Sequence, residues 1–158
     1  MAKMTLDAVD RTILLYLIRN ARMPFLEIAR ECGISGAAIH QRVRKLEEAG
    51  TIRGSRLEVN PKRLGFDVCA IIGIRIVDPS LNFETVEHLR AIPEIVECHF
   101  ITGKYNILVK VYCTDNEHLM HTLFDKITKV DGVTQTETFI SLNEAFSRQV
   151  EVPELEEE

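Results

Sequence analysis

The sequence lacks the patterns that would place it in a membrane or outside the cell. No apolar run approaches the roughly 20 residues that a membrane-spanning helix needs. The first ten residues carry charges and no apolar stretch, so they do not resemble a secretory signal. The four cysteines are widely spaced without a CxxC pair, which is typical of reduced thiols rather than of a disulfide framework. We therefore expect a cytoplasmic protein.

Motifs of the common catalytic classes are also missing. There is no GxSxG nucleophile motif, no phosphate-binding P-loop and no convincing pair of carboxylates. Cys113, His118 and His121 lie near one another in sequence, but three ligands without a fourth at regular spacing are a weak metal pattern. A solvated helix face explains the two histidines better. The sequence therefore predicts no catalytic residue, no metal site and no cofactor.

Charge is distributed unevenly along the chain. The total of −5 at neutral pH would by itself disfavour nucleic acid as a partner. However, residues 1–63 contain 12 basic and 7 acidic side chains, whereas residues 64–158 contain 7 basic and 17 acidic ones. This split predicts two modules with different partners, and the basic module is the candidate for binding a polyanion.

The basic module has the pattern of a winged helix-turn-helix. Helices are predicted at residues 7–20, 24–33 and 35–49, because apolar residues recur every three to four positions and Ser35 is a favourable N-cap. The short turn between the second and third helices is typical of a helix-turn-helix. Residues 52–59 alternate loosely around a glycine, as a small β wing would.

The acidic module alternates strand and helix patterns in the order βαββαβ. This is the arrangement of a ferredoxin-like α+β domain, with Gly103 at the tight turn between the second and third strands. Both faces of the first strand are largely apolar, so we expect the sheet face without helices to pack on a second copy of the chain. The strands are predicted at 67–77, 95–102, 106–112 and 133–140, and the helices at 83–92 and 116–130.

These patterns divide the chain into four segments. We expect a winged helix-turn-helix domain at residues 1–60, a linker at 61–66 and the ferredoxin-like domain at 67–150. Residues 151–158 are rich in glutamate and have no core pattern, so they are interpreted as a solvated acidic tail.

The third helix has the side-chain order of a helix that reads the major groove of DNA. At about 100° per residue, Ile39, Val43 and Leu46 share a buried face, while small residues begin the helix and polar or basic ones occupy the opposite face. Arg42 projects nearer the core edge, so an ion pair or a phosphate contact is expected for it. An ordinary solvated helix face is the alternative interpretation. The predicted DNA contacts are Ser35, Gly36, Ala37, His40, Gln41, Arg42, Arg44 and Lys45, with Arg53 and Arg56 on the wing.

Four segments of the chain resemble motifs of the Lrp/AsnC (feast/famine) family of bacterial and archaeal regulators. They are LDAVDRTIL at 6–14, ECGISGAAIHQRVRKLEEAGTIRG at 31–54, LGFD at 64–67 and ITGKYNILVKV at 101–111. The resemblance covers nearly the whole chain. It implies a sequence-specific regulator of transcription that binds double-stranded DNA and responds to an amino acid or a related metabolite. It also implies a homodimer formed by the sensing domains, commonly assembled into an octamer, with the effector between dimers.

The resemblance also implies which residues bind the effector. They are Thr102, Gly103, Lys104, Tyr105, Asn106, Thr136 and Thr138. Lys104 and Asn106 stand where the family commonly has acidic residues. Because a cationic amine prefers a carboxylate partner, this departure favours either an effector bound mainly through its own carboxylate or no effector. A plain hairpin glycine is the alternative interpretation of Gly103.

The sequence leaves two other functions open. Some tetrapyrrole-processing decarboxylases resemble this family although they have lost DNA binding, and a metabolite-binding oligomer without DNA targets would share the same scaffold. The polar, basic outer face of the third helix favours the regulator over both.

Overall fold

The computed structural model describes residues 5–78, 80 and 82–154, which form two compact units. The first unit combines the N-terminal residues up to Glu58 with the C-terminal segment that begins at Phe146, and the second spans Val59–Ala145. Within the described ranges, no helix is both long and apolar enough to cross a membrane. The predicted order of a helix-turn-helix followed by a βαββαβ domain is confirmed.

The first unit contains the three predicted helices, α1 (Ala8–Arg19), α2 (Phe25–Cys32) and α3 (Gly36–Glu48). Asp7 caps α1 by accepting a hydrogen bond from the backbone N–H of Asp10 at 2.8 Å. Gly33 ends α2 at φ 66°, in the left-handed region that glycine adopts without a steric penalty. Reversal of the chain at this glycine brings α2 and α3 together as a helix-turn-helix.

A single apolar core holds these three helices. Its buried members are Ile13, Leu14, Ile28, Ala29, Ile39, Val43 and Leu46. Val152, from the other end of the chain, also packs against this core and is half-buried. The prediction that the tail is entirely solvated is therefore wrong at Val152, because this apolar side chain packs against the core and is partly removed from solvent. Predicted tail residues 155–158 lie outside the described ranges.

The predicted β wing is not formed as a strand. Helix α3 ends where Gly50 takes φ 72° and the N–H of Thr51 donates to the carbonyl of Leu46 at 2.9 Å. Beyond it, residues 53–59 belong to no helix or strand. A strand needs a neighbouring strand to satisfy its backbone groups, and no described segment of this chain pairs with these residues. In the predicted linker, Pro61–Leu64 forms a 3-10 turn.

The second unit is a four-stranded antiparallel sheet with helices on one face. Its elements are β1 (Val68–Ile76), α4 (Asn82–Arg90), β2 (Ile95–Phe100), β3 (Ile107–Cys113), α5 (Asn116–His121) and β4 (Val133–Ser141). The strands lie in the order β2-β3-β1-β4. Alternate residues of β1 and β3 are buried against α4 and α5, and the core residues are Ala70, Ile72, Ile74, Ile76, Leu89, Ile92, Ile107, Val109, Val111, Cys113, Leu119 and Ile127. The remaining residues of β1 and β3 point to the other face of the sheet, which carries no helices and which we call the open face.

One aromatic residue in each of the predicted helices 83–92 and 116–130 is exposed rather than buried. Phe83 is 77% exposed and contacts the Phe100 ring edge-on, with ring centroids 5.4 Å apart, while Thr85 is buried in its place. After α5 the helix continues as a π turn (Thr122–Lys126) and a 3-10 turn (Ile127–Lys129). Because a π turn adds a residue to the helical repeat, the 3.6-residue period fails across it, and Phe124 is exposed.

Candidate functional site

Helix α3 presents the predicted DNA-contacting side chains on its outer face. Its three apolar residues are buried as expected, and Ser35 caps the helix by accepting from the N–H of Ala38 at 3.2 Å. Gly36 starts the helix with no atom within 4 Å of the position that a Cβ would occupy, so the backbone there is open to a close approach. Five other predicted contacts on the helix are exposed, and they are Ala37, His40, Gln41, Arg44 and Lys45.

Two of these side chains are oriented by neighbours. The His40 ring contacts the Phe25 ring edge-on with centroids 4.5 Å apart. Arg44 is 79% exposed, and its Nε donates to Glu48 Oε1 at 2.9 Å. Phe25 and Glu48 were not predicted as part of the site. The i,i+4 spacing of Arg44 and Glu48 is a signal that sequence reasoning could have used, whereas the contact with Phe25 depends on how α2 crosses α3.

Arg42 is engaged differently from the other basic residues of α3. Its Nη1 lies 2.6 Å from Asp7 Oδ2 and 2.8 Å from Asp10 Oδ1, so the expected ion pair is present. The hydrogen bonds from Arg42 to both carboxylates raise the pKa of the guanidinium. The backbone N–H of Asp10, opposed by partial burial and supported by Arg42, lowers the pKa of Asp7. The pair remains charged at neutral pH.

The two predicted wing residues, Arg53 and Arg56, are both exposed. They lie on the segment that forms no strand, so no β ladder orients them in the single chain. They are accessible to a phosphate backbone.

The β2–β3 turn carries a second candidate site. Gly103 adopts φ 123°, a conformation that favours glycine and agrees with its interpretation as a turn residue. Lys104 Nζ lies 2.6 Å from Glu137 Oε2 on β4, and the Lys104 carbonyl accepts hydrogen bonds from the Arg75 guanidinium on β1. Asn106 holds the turn against β1, because its Oδ1 accepts from the N–H of Ile76 at 3.0 Å.

Tyr105 covers the centre of β1 on the open face. A Cβ added to Gly73 would lie 2.5 Å from Cδ2 of the Tyr105 ring, so the ring occupies the space of the missing side chain. The Tyr105 hydroxyl is buried and makes no hydrogen bond within the described chain. Gly73 pairs with Glu137 across the β1–β4 ladder, which places Tyr105 and the Lys104–Glu137 pair on the same face.

The predicted effector residues do not all come together. Thr136 and Thr138 pair with Ile74 and Ile72, so they point to the helix-covered face, opposite Tyr105. The Thr138 hydroxyl is buried without a partner in the described chain. Exposed Thr102 lies in the turn itself. Sequence reasoning missed Glu137, because its proximity to Lys104 follows from the strand register and has no local signal.

The three residues of the weak metal pattern, Cys113, His118 and His121, make separate contacts in the structure. His118 Nε2 lies 2.9 Å from Glu94 Oε1, His121 Nδ1 lies 2.8 Å from a helix aspartate, and Cys113 contacts a buried threonine hydroxyl. Within the part of the chain that the structure describes, no group of three or more His, Cys, Asp or Glu side chains is arranged to hold a metal ion. All four cysteines are free thiols.

Glu94 is the most strongly perturbed carboxyl group of the second unit. Burial opposes its ionisation, but hydrogen bonds from Lys126, at 2.6 Å, and from His118 outweigh this effect and lower its pKa to about 2. The cluster connects the start of β2 to α5 and the π turn. None of these three side chains is among the predicted DNA or effector contacts, and the cluster has the character of a structural ion pair.

Comparison with known proteins identifies both units. Residues 6–47 match the AsnC-type helix-turn-helix domain, and residues 69–150 match the Lrp/AsnC ligand binding domain. The regulatory protein AsnC of Escherichia coli is 38% identical over 145 residues, which are 92% of this chain and 95% of that protein. The transcriptional regulator LrpA of Pyrococcus horikoshii is 38% identical over 130 residues, which are 82% of this chain and 92% of that protein.

Solved structures show the same similarity over both units. The structure of E. coli AsnC matches with a TM-score of 0.86 at 37% identity and covers 94% of this chain and all of that chain. A feast or famine regulatory protein from M. tuberculosis, complexed with L-methionine, matches with a TM-score of 0.86 at 28% identity and the same coverage. The fold and the order of the two units are therefore those of these regulators.

Proposed function

The chain belongs to the Lrp/AsnC family of DNA-binding transcriptional regulators, and we propose that its helix α3 reads operator DNA in a sequence-specific way. The observation that carries this proposal is the outer face of α3, where Gln41, Arg44 and Lys45 stand exposed above a fully buried apolar face. Glutamine and arginine can each make two hydrogen bonds to a base edge in the major groove, and the open backbone at Gly36 permits close approach. Arg53 and Arg56 would contact phosphates.

The test compares the operator affinity of two arginine variants, one on α3 and one on α4. The operator is first obtained by selecting genomic fragments with the purified protein. Arg44→Ala should then cost about 1–3 kcal/mol and relax the preference at one base position. Arg90→Ala is the control, because Arg90 also pairs with a glutamate on its own helix, at 3.3 Å, but lies on α4. Wild-type affinity in Arg44→Ala would show that α3 does not read the operator.

A separate variant tests the phosphate contacts. Arg53→Ala should weaken binding to all sequences by a similar factor and reduce the slope of log affinity against log salt by about 0.9. An unchanged slope would show that Arg53 does not contact a phosphate.

We further propose that two copies associate through the open face of the sheet. This face carries half-buried Ile71 and Leu108 and exposed Phe139, an apolar surface that a second copy would cover. A stable dimer of this kind buries roughly 2,000 Å² or more, and its two-fold axis would present two α3 helices to a pseudo-palindromic operator. Assembly of four such dimers into an octamer is the further expectation from the family resemblance.

Light scattering at micromolar concentration measures this assembly. Phe139→Arg should dissociate the dimer, whereas Phe83→Arg, which changes an exposed aromatic residue on the helix side, should leave it intact. A monomeric wild-type mass would refute the proposal, and the same measurement distinguishes a dimer from an octamer.

The effector is proposed to be an amino acid or related metabolite that binds near the β2–β3 turn mainly through its carboxylate. Lys104 favours anions there, and the nearest carboxylate, on Glu137, is already paired with Lys104. An effector ammonium group would have to displace Lys104 to reach Glu137. A charge-assisted contact contributes about 1.5–3 kcal/mol, so we expect weak binding of amino acids that depend on it.

Calorimetric titration with the amino acids tests this proposal. Asn106→Asp keeps the acceptor for Ile76 and adds the negative charge that an ammonium group needs, so it should tighten amino acid binding roughly tenfold or more. Lys104→Met removes the cation that favours the effector carboxylate, so it should weaken the binding of any effector held through that group. Tight binding by the wild type, with no gain in Asn106→Asp and no loss in Lys104→Met, would show that these positions do not govern recognition.

The family is regulatory, and we propose that this chain acts in the cytoplasm without enzymatic activity. The exposed basic face of α3 favours this role over a decarboxylase on the same scaffold. A visible absorbance band in the purified protein, together with no retention on genomic DNA, would support the enzyme instead.

A further inference from the structure

We infer that Arg42 positions helix α3 for DNA reading through Asp7 and Asp10 and does not itself contact DNA. The inference rests on the proposed role of α3 as the reading helix. It assigns to Arg42 a task different from that of the other basic residues of α3.

The geometry ties the middle of α3 to the first turn of α1. A single guanidinium nitrogen, Nη1, lies within hydrogen-bond distance of both carboxylates, at 2.6 Å from Asp7 and 2.8 Å from Asp10. Asp7 is the N-cap of α1, and its carboxylate also accepts from the N–H of Asp10. The Asp10 side chain is only 12% exposed. The two carboxylates are therefore held in place by the capping box, and they fix the guanidinium between them.

The charges around Arg42 disfavour a phosphate contact. Two carboxylates face one guanidinium, so the cluster carries a net charge of −1, and the Asp7 side chain is 53% exposed to an approaching phosphate. Arg42 also lies on the wrong side of the helix. At about 100° per residue it is displaced by roughly 130° from the middle of the face that carries Gln41 and Arg44. A phosphate would meet a negative cluster at the edge of the reading surface.

Losing the ion pairs of Arg42 with Asp7 and Asp10 should change how firmly α3 is positioned against α1. The apolar core alone resists separation of the helices, but it is less specific about rotation and sliding, because apolar contacts are non-directional. Hydrogen-bonded ion pairs set distance and direction together. Removing them should leave a folded unit whose α3 is less well placed, and base contacts suffer from small displacements more than phosphate contacts do.

The experiment compares operator and non-specific DNA with single and double variants in the full-length protein. Asp7→Asn is the central variant, because asparagine is as good an N-cap as aspartate, whereas the negative charge and the oxygen that accepts from Arg42 are lost. We expect it to lower the ratio of operator affinity to non-specific affinity about fivefold. Asp115→Asn is the matched control, because Asp115 caps α5 by accepting from the N–H of His118 at 2.8 Å, and it should leave the ratio unchanged.

Whether Asp7→Asn strengthens or weakens DNA binding distinguishes a phosphate contact by Arg42 from a positioning role. If Arg42 contacted a phosphate, Asp7→Asn would unmask its charge and tighten binding to both DNAs, and Arg42→Ala would reduce the salt slope by about 0.9. A positioning role predicts weaker operator binding by Asp7→Asn and an unchanged salt slope in Arg42→Ala. It also predicts that the Asp7→Asn/Arg42→Ala double variant binds the operator no more weakly than Arg42→Ala alone, since both changes break the same ion pair.

Folding and coupling are controlled within the same series. Circular dichroism melts confirm that each variant is folded at the binding temperature, and if Arg42→Ala is not, Arg42→Lys replaces it. In an Arg44→Ala background, Asp7→Asn should cost less operator affinity than in the wild type, because part of its effect acts through the base contact of Arg44. Tighter binding by Asp7→Asn, or equal losses on operator and non-specific DNA, would overturn the inference. If Arg44→Ala alone has no effect, the proposed role of α3 fails instead.

Discussion

Substitution of Gly73 by alanine tests how tightly the β2–β3 turn is packed on the sheet. Gly73 lies in the middle of β1 and does not have a positive φ, so its backbone conformation accepts an alanine. The obstacle is the Tyr105 ring, three of whose carbons would lie 2.5 to 2.8 Å from the new Cβ. Carbon atoms pack at about 3.5–4.0 Å, so the ring must move by about 1 Å.

The cost follows from this overlap. Inserting a methyl group into a packed site costs about 1–3 kcal/mol, and replacement of a strand glycine returns about 0.5–1 kcal/mol through lower conformational entropy of the unfolded chain. We expect a net destabilisation of about 1–2 kcal/mol. For a domain of 60–100 residues, each kcal/mol lowers the melting temperature by about 4–8 °C. The second unit, Val59–Ala145, lies within this size range.

Calorimetry of a double-mutant cycle provides the assay. In a Tyr105→Ala background the obstacle is gone, so Gly73→Ala should be neutral or slightly stabilising there. Gly36→Ala serves as a control, because that position has open space and should tolerate the methyl group. Equal destabilisation by Gly73→Ala in both backgrounds would refute the packing argument. Because the ring belongs to the proposed effector turn, the single variant should also weaken effector binding.

Two further predictions concern stability. The pKa of Glu94 is lowered from its ordinary value of 4.5 to about 2 in the folded protein, so its contribution is complete above pH 4.5 and is lost as the pH falls towards 2; denaturant titrations should show this loss, and Glu94→Gln should flatten the pH dependence. Val152→Ala should destabilise the first unit by about 1 kcal/mol, whereas Val150→Ala, at a position 83% exposed, should have no effect in thermal melts. Equal stability of these two variants would show that the tail does not support the helix-turn-helix.

Local sequence determined most of the secondary structure and much of the reading surface. The periodicity of Ile39, Val43 and Leu46 sets the buried face of α3, and the exposed face follows from it without any tertiary information. Gly33 and Gly50 end their helices in the left-handed conformation, as their residue type favours. The βαββαβ order could also be predicted, because alternation and helical periodicity are properties of short segments.

Tertiary structure alone decided which distant residues meet. The pairing of Lys104 with Glu137, and the placement of Thr138 on the face opposite Tyr105, follow from strand register, which no short segment specifies. Val152 packs against the helix-turn-helix core because folding places the C-terminal segment in the same compact unit as the three helices. Arg42 pairs with Asp7 and Asp10 instead of facing solvent because folding brings α1 beside α3. A residue's type states what it can bind, but the fold determines which partner lies within reach.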